Sequence, residues 1–117
     1  MGYFTYDNDT KTEIEDRLLA HLQVVIGTKL RRSESFYFTW KDEASLGSGR
    51  TTVWMHPGAG LKFKFAGSRQ PEISRAWLTA LAYAANLPTG LYAVREPSGR
   101  TSEPTRMSAS EDVGSVV

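Results

Sequence analysis

The chain contains no cysteine. Disulfides, thiolate nucleophiles and cysteine-ligated zinc or iron–sulfur centres are thereby excluded. Histidine is almost as scarce: His21 and His56 are too few for a histidine-rich metal site. Apolar runs, such as Val24 to Ile26, fall far short of the ~20 residues that span a bilayer, so no membrane partner is expected. The first residues lack the basic flank and apolar stretch of a signal peptide, and a cytoplasmic location is the expectation. From Glu96 onward there is no aromatic residue, only serine, threonine, proline, glycine, charge and a few small apolar groups. Such a segment cannot bury enough surface to offset the cost of ordering it, so residues 98–117 are predicted to be a disordered tail.

What is present fits one domain. The 117 residues suffice for a working core, with hydrophobic residues at 40% and charged residues at 23%. The predicted division is a single α+β domain over 1–97 followed by the tail. Net charge is only +1, but it is unevenly spread. Met1 to Arg17 carries five acids against two bases, whereas Lys29 to Arg75 carries nine bases against four acids. The middle of the chain is therefore the part that would attract phosphate.

Local patterns give the elements. Tyr3 to Tyr6 reads as a short strand and Asp7-Asn8-Asp9 as a turn. Thr12 and Glu15 fit a capping box at the start of a helix. Behind it Ile14, Leu18, Leu19, Leu22, Val25, Ile26 and Leu30 recur at helical spacing. Residues 35–41, 51–56 and 61–65 alternate with period two and read as a three-stranded meander. Pro71 suits the first turn of a second helix, whose stripe is Ile73, Trp77, Ala80, Leu81 and Ala84 and which stops near Asn86. Leu91 to Arg95 reads as a last strand. The predicted architecture is α+β in the order β-α-β-β-β-α-β: an antiparallel sheet of four or five strands with two helices on one face.

Few chemistries remain. No Ser-His-Asp set can be assembled; His21, at the edge of the helical stripe, reads as structural and His56 as an exposed turn residue. The adjacent Asp42 and Glu43 read as solvated loop acids rather than as a metal site. Gly47-Ser48-Gly49-Arg50 lacks the length and the Lys-Ser/Thr of a phosphate-binding loop. No cofactor is expected. The remaining candidate is the basic-aromatic region between Ser35 and Gly67, which holds more than half of the aromatic residues. Nucleic-acid binders place aromatics where bases stack and Lys or Arg where phosphates lie. The candidate nucleic-acid-binding residues are Arg31, Arg32, Lys41, Arg50, Trp54, Lys62, Lys64 and Arg69. A merely solvated sheet face accounts for the same pattern. A protein-interaction or homo-oligomerisation module, with a tryptophan as its anchor, is the alternative from another class.

The segments HLQVVIGTKLRRSESFYFTWKD, GRTTVWMHP, KFAGSRQPEISRAWLTAL and ANLPTGL resemble a family of short actinobacterial proteins of unknown function, many of which carry the label ATP-dependent DNA ligase. The resemblance runs from about Tyr3 to Pro97 and implies a partnership with DNA and with DNA-joining machinery. Ligases of that class adenylate a lysine in a Lys-x-Asp-Gly motif. The nearest strings here, Lys41-Asp42-Glu43-Ala44 and Lys64-Phe65-Ala66-Gly67, lack the pair of Asp and Gly. The expectation is therefore a small DNA-associated accessory or binding domain that is not a ligase on its own.

Overall fold

A computed structural model describes residues 1–42, 47 and 49–97. The expected tail, Glu43 and Ser48 lie outside the described residues. The fold is α+β, in the order β1 (Gly2–Tyr6), β2 (Thr10–Ile14), α1 (Asp16–Arg31), β3 (Phe36–Lys41), β4 (Arg50–Met55), β5 (Leu61–Lys64) and α2 (Arg75–Ala85). The strands pair antiparallel in two sheets, β2-β1-β5 and β3-β4, where one sheet was expected.

Strand β2 occupies residues expected to open the first helix. Asp7 and Asn8 adopt positive φ of 53° and 65°, which Asn and Asp tolerate better than most residues. Once the chain has turned back, Thr10 to Ile14 alternates: Ile14 is buried opposite Gly2, while Lys11 and Glu13 face solvent. Thr12 is thus a strand residue opposite Phe4, not a helix cap. Helix α1 begins at Asp16, and its N-cap Glu15 makes no side-chain capping bond. Strand pairing outweighs a capping interaction of about 1 kcal/mol. Asp16 instead accepts the backbone N–H groups of Ala66 (3.0 Å) and Gly67 (2.9 Å). Those two bonds hold its carboxyl below the usual carboxylate range and clip the loop after β5 to the helix.

The meander is broken by the same turn. Asp7 donates its backbone N–H to Gly60 O (2.7 Å), and its carboxylate accepts the Gly60 N–H (2.7 Å). Gly60 is thereby delivered to the end of β1, and β5 pairs with β1 rather than with β4. Across the gap between the sheets, the Tyr6 hydroxyl donates to the Trp54 carbonyl. Burial, then the nearby Asp7 and Asp9, push the Tyr6 phenol up from its ordinary value.

The inner faces of both sheets share one core with the helices. Phe4 sits edge-on to Phe38 (5.4 Å) and Trp40 (5.9 Å) and lies 5.3 Å from Phe63. Helix α1 contributes Leu19, Leu22, Val25 and Ile26, and α2 contributes Trp77, Leu81, Ala84 and Ala85. Each large side chain so buried contributes about 1.5–3 kcal/mol. Helix α1 packs on β1 and α2 packs on β3, with the helices against each other.

Helix α2 starts four residues after Pro71, because Ser74 is the better cap: its Oγ accepts the Trp77 N–H at 3.2 Å. The Ser74 N–H donates to His21 Nε2 at 2.8 Å. That bond assigns the tautomer, so Nδ1 carries the proton and donates to Arg17 O at 2.7 Å. His21 is fully buried, its ring 4.5 Å from that of Trp77; its role is structural. Helix α2 ends at Ala85, just before Asn86 and Pro88.

The expected last strand shrinks to one bridge. Leu91 pairs parallel with Phe38, donating to Tyr37 O (2.8 Å) and accepting from the Thr39 N–H (2.9 Å). The Val94 N–H then folds back to Tyr92 O, and Val94 O accepts the Trp77 indole N–H at 2.8 Å. This tight turn carries the chain off β3.

Candidate nucleic-acid interface

Period two sends alternate residues of β3 and β4 outward, and the register aligns them in three kinds of pair. Tyr37 faces Trp54, Thr39 faces Thr52, and Lys41 faces Arg50. The two aromatic rings meet edge-on with centroids 4.9 Å apart, and each residue is 47% exposed. The two threonine hydroxyls share a hydrogen bond of 2.7 Å. The third pair sets like charges directly opposite each other, an arrangement that destabilises a sheet by a few tenths of a kcal/mol or more. An anion between them would relieve that repulsion.

The segment after α2 adds a second wall. Gly90 adopts φ +89° and lies so close to β3 that a Cβ there would stand 2.4 Å from Tyr37 O. Only glycine fits, and its close approach leaves Pro88 on one side and the 48% exposed Tyr92 on the other. Tyr37, Tyr92 and Pro88 bound a cleft of about 440 Å³ whose remaining lining includes Thr39, Thr52 and Arg50. A second cleft of about 250 Å³ adjoins it, formed by Tyr37, Trp54, Pro88, Asn86, Ser35 and Lys29.

Lys29 reaches that cleft because of how α1 ends. Ser33 takes φ 60°, and the N–H groups of Ser33 and Glu34 return to Leu30 O and Lys29 O, both at 3.0 Å. This left-handed C-terminal motif brings Glu34 back to Lys29 (2.9 Å), whose ammonium also donates to Asn86 Oδ1. The Lys29 hydrogen bond holds the Glu34 carboxyl below its ordinary value.

Of the residues expected to bind nucleic acid, the structure brings together Lys41, Arg50 and Trp54. Arg31 and Arg32 are exposed at the end of α1, with Arg32 3.9 Å from Glu34. Lys62 and Lys64 belong to the other sheet, opposite Thr5 and Tyr3. Arg69 lies apart, beside a groove of about 260 Å³ that Val24, Phe65 and Ile73 help to line. Asp42 accepts the Thr51 hydroxyl at 2.8 Å, and His56 Nδ1 accepts the Gly58 N–H of its own turn at 3.2 Å. Tyr92 was not among the expected residues, although its place next to Leu91, which the core takes, turns it outward.

The family model for a domain of unknown function, DUF7882, matches residues 1–96. The chain belongs to this family. No curated protein and no solved structure matches it. The DUF7882 match takes in every strand, both helices and every residue that lines the two clefts.

Proposed function

We propose that this DUF7882 domain is a small, non-catalytic DNA-associated module that binds through the outer face of β3 and β4. The observation that carries this reading is the register itself, which sets a half-exposed aromatic pair and a like-charged cationic pair on one strip of sheet. Aromatics take bases and the cations take phosphates. Arg31 and Arg32 add positive potential at the end of α1. The resemblance to short actinobacterial chains labelled as ligases supports a link to DNA joining, and a cytoplasmic location goes with it. Neither Lys41 nor Lys64 stands in the Asp-Gly context of an adenylated lysine, and both are exposed.

Fluorescence anisotropy with labelled oligonucleotides at low salt tests the binding. Affinity should fall with salt, with a log–log slope of roughly −2 for two phosphates neutralised. Absence of binding below about 10⁻⁴ M, the weak end of non-specific association, overturns the reading. Incubation with ATP and magnesium should leave the mass of the protein unchanged; an AMP adduct on Lys41 or Lys64 would show it to be catalytic.

The rival is a protein-interaction or homo-oligomeric module, favoured by the exposed Val24 and Ile73 at the groove beside Arg69. A concentration-dependent dimer in light scattering that is lost on Ile73→Lys, together with no DNA binding, would establish it.

A further inference from the structure

We infer that the β3–β4 face takes single-stranded DNA and seats two neighbouring bases, one in each cleft beside Tyr37. This rests on the DNA-binding reading above and narrows it. Tyr37 and Pro88 line both clefts, so together they form a ridge between two adjoining seats. Each seat has an aromatic of its own, Tyr92 in the larger and Trp54 in the smaller. Tyr37 and Trp54 already touch edge-on, so a base stacks on their outward faces rather than slipping between them. A duplex hides base faces within its own stack, whereas a single strand offers them to exposed rings.

The two seats differ in charge. Lys29, beside the smaller one, is already committed to Glu34 and Asn86. Arg50 lines the larger one, with Lys41 opposite it across the strands. The phosphate contact therefore falls at the larger seat. There the Thr39–Thr52 pair uses one O–H for its mutual bond and leaves the second O–H for a base edge.

Trp54 supplies its own reporter, because the other two tryptophans, Trp40 (8% exposed) and Trp77 (5%), are buried. The full chain is titrated at low salt with oligothymidylate, a mixed-sequence single strand and a hairpin duplex, following tryptophan emission and anisotropy together. Single strands should quench the emission, and Trp54→Phe should abolish the quench. Tyr37→Ala and Tyr92→Ala should each weaken single-strand binding by roughly tenfold, as loss of a stacking partner does. The Tyr37 side chain is exposed and only its backbone holds Leu91, so that variant keeps the fold, which circular dichroism checks. Duplex bound as tightly as single strand, with emission unchanged and Tyr37→Ala neutral, overturns the inference and leaves the broader DNA-binding reading standing. No binding of any oligonucleotide removes both.

Discussion

The two sheets carry nearly the same ingredients on their outer faces and arrange them differently. On the three-stranded sheet, Tyr3 and Thr5 lie between Lys11 and Glu13 on one side and Lys62 and Lys64 on the other. Cation and aromatic are interleaved, and Lys11 sits 4.3 Å above the Tyr3 ring, which it covers. On the β3–β4 sheet the charges gather at one end and the aromatics at the other, with the threonines between. Segregation leaves rings open and concentrates potential; interleaving makes an ordinary wet surface. Alternating aromatic and basic residues thus do not by themselves define a surface; the register that sorts them decides which rings and cations share a face.

The comparison can be broken most directly at Gly90. Alanine there must accept φ +89° and a contact with the Tyr37 backbone that no Cβ tolerates. A loss of about 3 kcal/mol in urea unfolding is expected, with loss of the larger cleft. An unchanged midpoint would mean that the segment after α2 does not press on β3.

Charge reversal asks which face binds. Lys41→Glu with Arg50→Glu should weaken DNA binding by about a hundredfold, and Lys62→Glu with Lys64→Glu by no more than about threefold. Equal losses, read by anisotropy, would erase the distinction between the faces.

A smaller effect concerns the helix end that presents Lys29. Ser33 holds a left-handed conformation that costs a residue with a Cβ about 1 kcal/mol. Ser33→Gly should raise stability by roughly that amount in thermal or urea melts, without altering affinity.

The last effect belongs to the three-stranded sheet. The Asp16 carboxyl is held below its ordinary value by the Ala66 and Gly67 N–H groups. Its contribution is therefore complete above the unfolded pKa of about 3.9 and fades as pH falls through the lower folded value. Asp16→Asn should be the less stable protein at neutral pH and should converge with the parent in strong acid. Parallel stability curves between pH 2 and 7 would refute the clip.

Much of the fold could be read from period alone. Leu19, Leu22, Val25 and Ile26 announce α1, and Phe36, Phe38 and Trp40 announce the inner face of β3. What period could not supply was partnership. Thr10 to Ile14 is short and polar, and only the Asp7-Asn8-Asp9 turn, by returning it against β1, makes it a strand. Leu61 to Lys64 alternates equally well beside β4 or β1, and the Asp7–Gly60 bonds decide. Lys41 and Trp54 were therefore legible as outward-facing, but the pairing of Lys41 with Arg50 and their separation from Lys62 and Lys64 were not. The contribution of Tyr92 needed the Gly90 crossing, a backbone contact with no signature beyond a glycine after Pro88.

The parallel bridge at Leu91 also sets when the candidate site exists. Its two walls come from β3 and from a segment that follows α2, far apart along the chain. Until that segment docks, the larger cleft has only its β3–β4 wall, so the site forms with the buried Leu91 and opens with it, and amide exchange at Thr39 and Leu91 would report that opening. A nascent chain released only as far as Asn86 would lack Leu91 in its core and the Tyr92 wall of the larger cleft.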